Sequence, residues 1–248
     1  MRLSVELVPR DSASLASQLE EVRCLARVDT VNVPDLGQFD LRGWQAAVQA
    51  RHAGAWAAVP HFRAGEVLRD SQAGWPALTR LKAVGVTEVL VVSGDDAAVD
   101  EHRVGERPAV MAIRELSAAH PDLSVYAALD PYRTGFAAEL AYAQAKLAAG
   151  AKGLFTQPFF DLRLLAVWQE LTAGLDVFWG VTSVTSERSQ RYWLSRNRAV
   201  FPAGFEPTLE WHRGLAARAL DHVAGSGGHL YFMPIRVSVA EWLGHLLG

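Results

Sequence analysis

A carboxylate interrupts an apolar run near the start of the chain: Glu6 stands inside "SVELVP" (4–9), just ahead of a proline. Removed from water with no cation beside it, a carboxyl either costs folding energy or holds its proton to higher pH. A carboxyl protonated near neutrality can serve as a general acid. One tied to a buried Arg or a backbone amide would be structural, and the residues leave both readings open. A second unusual group is Gln157 in "LFTQPFFD" (154–161), where an apolar run ends in an amide, a proline and two phenylalanines. An amide offers one acceptor and two donors without net charge. That set suits a heterocycle with adjacent donors and acceptors, such as a pterin or flavin, with Phe159 and Phe160 as wall or as core.

Polar residues close nearly every other apolar run: Asn32 with Asp35, His61, Asp95 with Asp96, Asp130, Thr182 with Ser183, and Arg236 after the last. Asp95, Asp96 and Asp161 also read as helix N-caps, since Asp ahead of a helix is ordinary. Two barrel chemistries are set aside. A metal-dependent hydrolase would want His-x-His in the first run, which reads Glu6-Leu7-Val8, and no H-E-x-x-H occurs. A Schiff-base aldolase would want a lysine at the end of a middle strand; Lys152 begins its run and Lys146 lies in the helical stretch before it.

The elements that must position these groups follow a simple alternation. Short runs rich in β-branched and aromatic residues lie at 3–8, 28–33, 54–60, 86–92, 123–129, 152–156, 176–181 and 229–233, and read as strands. Amphipathic stretches separate them, from "SASLASQLEEVRCLA" and "DLRGWQAAVQARH" through "FAAELAYAQAKLAAG" to "TLEWHRGLAARALDHVAG", several ending at Gly. Strands alternating with helices imply a parallel sheet with right-handed crossovers. Eight such units in 248 residues predict one α/β domain spanning residues 1–248, a single (β/α)8 TIM barrel. An open doubly wound sheet is the competitor, but no G-x-G-x-x-G follows the first run, and "GSGG" (225–228) precedes a strand. In a closed barrel chemistry gathers at the C-terminal strand ends, where the polar residues fall.

Bulk properties narrow the partners. Net charge is −3 with Lys and Arg scattered, which argues against nucleic acid. The single cysteine, Cys24, excludes an internal disulfide framework. No apolar run approaches the ~18 residues of a spanning helix, and the opening run is too short for a secretory signal. The expectation is a cytoplasmic protein acting on a small molecule, away from membranes. The Arg- and aromatic-bearing stretch 187–198 suits a subunit contact, a lid or an ordinary surface helix, so a homo-oligomer stays open.

Taken in order, the motifs resemble the methylenetetrahydrofolate reductase family. "VELVPR" (5–10) matches the family's opening "FEFFPP" strand and puts Glu6 on its acid. "PHFR" (60–63) matches "PHLT", "VSGD" (92–95) matches "LRGD", "AGAKGLFTQPFFD" (149–161) matches "AGA" with "ITQFFFD", and "HLYFMPIR" (229–236) matches "HFYTLNR". The resemblance implies an oxidoreductase in which NADH or NADPH reduces FAD, and FAD reduces 5,10-methylenetetrahydrofolate to 5-methyltetrahydrofolate or runs the reverse. It implies Glu6 as general acid, Asp95 stabilising the iminium, and Gln157, Phe160 and Asp95 against the folate. It implies His61, Ser93, Gly94 and Asp130 around the cofactor, with Tyr132, Arg133 and Lys146 as substitute phosphate or ribose contacts and no metal. Departures at Ser93, at "VNVPDLGQ" (31–38) and at "LDPYRTG" (129–135) fall where the family holds FAD. They leave two alternatives: direct hydride transfer from NADH to folate, or a folate- or flavin-binding protein without reductase activity.

Overall fold

A computed structural model of the chain describes residues 1–71, 75–94 and 108–248. Asp95 and Asp96 lie outside the described residues. Strands β1 (Leu3–Glu6), β2 (Thr30–Val33), β3 (Ala57–Arg63), β4 (Glu88–Val92), β5 (Ser124–Leu129), β6 (Gly153–Pro158), β7 (Val177–Thr182) and β8 (His229–Met233) pair in parallel and in chain order into a closed barrel. The expected (β/α)8 fold is what forms, and each predicted run carries its strand. Around the barrel lie α1 (Ser12–Arg23), α2 (Gly43–Ala53), α3 (Ala64–Asp70), α4 (Pro76–Ala83), α5 (Pro108–Ala119), α6 (Phe136–Ala148), α7 (Leu162–Leu171), α8 (Glu187–Arg196), α9 (Leu209–Ser226) and α10 (Val239–Leu247). Helix α3 is absent from the sequence reading. It follows β3 directly, and Arg63 at its N-cap makes no side-chain cap bond, so neither turn residue nor cap announces it.

Strand alternation divides the apolar residues into two cores. Leu3, Val5 and Leu7 point outward and pack with Leu15, Leu19, Trp242 and Leu243 of the flanking helices. Ser4 and Glu6 therefore face the barrel axis. Inside, Val59, Leu90, Tyr126, Phe155, Phe178, Tyr231 and Met233 form a separate cluster. Phe155 stacks on Phe178 with centroids 4.1 Å apart, while Tyr126 and Tyr231 meet Phe155 edge-on at 5.2 and 5.3 Å. The interior is thus aromatic on the β5–β8 side and polar on the β1–β2 side, where Ser4, Thr30 and Asn32 are fully buried.

Below this layer a charged plug closes the N-terminal end. Arg2 donates to both Glu88 oxygens at 2.8 and 2.7 Å and to Thr30 Oγ1 at 2.9 Å. Its guanidinium also lies 5.1 Å from the Phe178 ring centroid. His229 and Asp176 meet at 2.9 Å, and Tyr126 donates to Asp176 at 3.3 Å.

One irregularity matters for the opposite end. Phe155 pairs with Phe178 but Pro158 pairs with Gly180, so β6 carries one extra residue, a bulge. Thr156 Oγ1 accepts the Gly180 N–H at 2.8 Å across it. A Cβ at Gly180 would sit 2.6 Å from the Thr156 carbonyl, so glycine permits the close approach.

Candidate ligand site at the barrel mouth

A cavity of about 1070 Å³ opens at the C-terminal end of the barrel. Its floor is the top of the aromatic interior: Leu90, Phe155, Tyr231 and Met233. Its wall carries Glu6, His61, Thr156 and Gln157, and its rim carries Arg10, Tyr192 and Arg236. The volume is ample for a drug-sized ligand, for which clefts run from about 300 to 1,000 Å³.

Glu6 ends β1 and reaches the cavity because outward-facing Val5 and Leu7 anchor the strand on either side. The Tyr231 hydroxyl, from the adjacent last strand, donates to its Oε2. No cation pairs with it among the described residues. Burial pushes the carboxyl up to about 8. Near neutrality Glu6 is therefore a protonated acid, with Tyr231 occupying one oxygen and an O–H left to donate into the cavity.

His61 lies in β3, where burial pushes its imidazole down to about 3 against the pull of Asp35. The ring is neutral, and Nε2 donates to Asn32 Oδ1 at 3.1 Å while Asn32 Nδ2 donates to Ser4 Oγ at 2.5 Å. A neutral imidazole with one nitrogen donating keeps the other as an acceptor, so this buried relay fixes Nδ1 as an acceptor. Behind His61, Asp35 is held by Arg42 at 2.9 and 2.5 Å and by the Gly43 N–H at 2.9 Å. Burial would raise the Asp35 carboxyl, but these bonds and the Arg63 charge hold it below the usual range. Gln157 is exposed on the wall, brought there beside Thr156 by the β6 bulge.

The remaining expected residues sit elsewhere. Phe160 is 1% exposed and packs against Phe201, Trp193 and Phe205 at 4.4, 5.6 and 6.1 Å; it supports Trp193, which lines the cavity. Ser93 and Gly94 end the described part of β4's exit, Gly94 at φ +88. Asp130, Tyr132, Arg133 and Lys146 form an internal network beside α6. Arg133 donates to both Glu139 oxygens at 2.6 and 2.7 Å, and Glu139 is fully buried. Tyr132 donates to the Pro158 carbonyl at 2.9 Å, and its backbone N–H is accepted by Asp130 at 3.0 Å. Lys146, 2% exposed, donates to the Ala128 carbonyl at 2.5 Å and lies 3.8 Å from the Tyr142 ring centroid. Groups so engaged leave no open cradle for a dinucleotide. These four residues do not fit the FAD that the resemblance implied.

Tyr231, Asn32's bond to His61, and the rim residues Arg10 and Tyr192 have no assigned role in the sequence reading. Tyr231 carries a signal in hindsight: in "HLYFM" (229–233), alternation puts His229, Tyr231 and Met233 on one face. Among the described residues no group of three His, Cys, Asp or Glu side chains is placed to hold a metal, and no helix is long and apolar enough to cross a membrane.

The geometry defines a closed (β/α)8 barrel with a ligand-sized mouth. No family model matches the chain, and no curated protein matches it. Solved structures do. One is a protein from Clostridium thermocellum described as binding two copies of 5-methyl-5,6,7,8-tetrahydrofolic acid. It has TM-score 0.68 and 10% identity, covering 98% of this chain and 92% of that one. A second is 2,3-dimethylmalate lyase, of the PEP mutase/isocitrate lyase superfamily, with TM-score 0.59, 14% identity, and 96% and 75% of the two chains covered. A third is QR15, an aldolase, with TM-score 0.59, 11% identity, and 98% and 92% covered. At these identities the likeness shows the fold alone. It also corrects one expectation. Similar structures with a described activity include a lyase, an aldolase and an oxaloacetate acetylhydrolase, none of these an oxidoreductase, which overturns the reductase expectation.

Proposed function

We propose that the barrel mouth binds a reduced folate, with the pterin ring in the cavity beneath the rim. The observation that carries this reading is a buried Glu6, without a cation partner among the described residues, lining a cavity of about 1070 Å³. Its support is the similarity in fold to the Clostridium thermocellum protein that binds 5-methyltetrahydrofolic acid. A pterin is flat and carries donors and acceptors around its edge. Phe155, Tyr231 and Met233 meet a ring face, while three groups of complementary hydrogen-bonding type meet its edge. Glu6 donates to a ring nitrogen or carbonyl, His61 Nδ1 accepts an N–H, and Gln157 does either. Buried polar groups such as Glu6 and His61 reject ligands that leave them unpaired.

Isothermal titration of the purified protein with 5-methyltetrahydrofolate tests the reading. Saturable binding is expected, with affinity flat from pH 6 to about 7.5. Above the Glu6 value of about 8 the donor is lost and affinity falls, by up to about tenfold per pH unit. Absence of binding at millimolar folate overturns the proposal, and binding that strengthens above pH 8 removes Glu6 as the donor.

A further inference from the structure

One hydrogen-bonding sense at the mouth is set from behind the cavity wall. Glu6, Asn32 and His61 stand on the successive strands β1, β2 and β3, and Glu6 is the register partner of Asn32. Outward-facing Val31 and Val33 flank Asn32, so its side chain points into the barrel. Glu6 and His61 line the cavity, and Asn32 is fully buried on the strand between them. A buried amide must spend its donors and its acceptor inside the protein, and Asn32 spends them in one direction. Its Nδ2 donates at 2.5 Å to the Oγ of Ser4, itself fully buried, and its Oδ1 accepts from His61 Nε2 at 3.1 Å. With Ser4 holding the N–H end, the carbonyl end faces the imidazole. The His61 proton is thereby drawn to Nε2, and Nδ1 keeps its lone pair. Burial keeps the ring neutral against the pull of Asp35, so no second proton fills Nδ1. The choice is made before any ligand arrives.

We infer that Asn32 is a specificity-determining residue that does not touch the ligand: positioned by Ser4 and acting through His61, it makes the site select 2-amino-4-oxo pterins over their 2,4-diamino counterparts. The inference rests on the folate reading and adds the pattern that the pterin edge must carry. In the 4-oxo ring N3 bears a proton beside a carbonyl oxygen. That donor and acceptor complement an acceptor from His61 and a donor from Glu6. In the 4-amino ring N3 offers a lone pair and the exocyclic nitrogen offers protons, so both senses are reversed. Two lone pairs then meet at His61 and two donors meet at Glu6. Leaving such buried groups unpaired costs about tenfold to a hundredfold in affinity.

The test is paired titration at pH 7 with 5-methyltetrahydrofolate and its 4-amino-4-deoxy counterpart, which differ at that one position. The unaltered protein is expected to bind the 4-oxo ligand about tenfold to a hundredfold tighter. Asn32→Ala frees the imidazole to take either tautomer, and the ratio is expected to fall to about threefold or below. Asn32→Asp sets a carboxylate against Nε2, which draws a second proton onto the ring and turns Nδ1 into a donor; the ratio is expected to fall to about one or below. Nitrogen NMR of the ligand-free, unaltered protein reads the tautomer without any variant, and the His61 proton is expected on Nε2. A proton on Nδ1 overturns the inference. Equal affinity of the two ligands for the unaltered protein overturns it while leaving the folate reading standing. A preference that survives Asn32→Ala overturns the assignment to Asn32. Failure of both ligands to bind overturns the folate reading, and this inference with it.

Discussion

Two carboxylates face the inside of the same barrel, at opposite ends, under opposite rules. Glu88, near the N-terminal end, is gripped by both arms of Arg2, whose guanidinium also binds Thr30 and rests against Phe178. Glu6, at the mouth, has a tyrosine for a neighbour, no cation among the described residues, and a proton held to about pH 8 by burial. The plug is satisfied internally, so its polar groups have nothing left to offer a ligand. The mouth is left incomplete, and its unspent hydrogen-bonding capacity faces a cavity. A barrel of this kind closes one end with paired charge and keeps the other at some cost in stability.

The contrast can be broken at either end. The largest effect is expected for Glu6→Gln. Folding raises the pKa of Glu6, so the stability it contributes is fully present below about 4.5 and is lost as pH rises toward about 8. Removing the ionisable group should leave stability nearly unchanged at pH 4.5 and raise it by on the order of 2–4 kcal/mol at pH 8. Urea unfolding of both proteins at the two pH values measures this, and folate binding should fall in the same variant. A variant less stable at pH 8 would mean that Glu6 is paired and the two ends are alike. Next comes Arg2→Met, which strands Glu88 half-buried. A loss of about 1–3 kcal/mol is expected, below the range for a fully buried pair because Arg2 keeps some exposure. Folate affinity should be unaltered by titration; a matching loss of affinity would show that the plug reaches the site. The smallest effect belongs to Gln157→Ala. It should weaken folate binding by about 0.5–1.5 kcal/mol while the urea midpoint stays put, since the side chain is exposed and bonds nothing among the described residues. A shift in the midpoint without a loss of affinity would make Gln157 a structural residue.

The fold was legible because it repeats. Period-2 runs alternating with period-3.6 stretches encode strand order directly, and closure needs no further signal. Glu6 was legible as a charge out of place, and Gln157 as an amide out of place. What could not be read was pairing across the chain. Tyr231 meets Glu6 from 225 residues away, across the seam where the first strand closes on the last. Arg133 and Lys146 looked available for phosphate, yet Glu139 and the Ala128 carbonyl claim them. A buried charge and a ligand-binding charge carry the same letter, and packing alone separates them. Activity was the least legible of all. The reductase reading rested on motifs that place residues at strand ends, and strand ends are shared by every chemistry this fold hosts.

The extra residue in β6 has a wider meaning. Across it Thr156 keeps the ladder intact through the Gly180 N–H, while Gln157 is released from pairing duty. Position 157 can therefore change without disturbing closure of the barrel. Selection can retune what the protein recognises one substitution at a time, and the scaffold need not take notice.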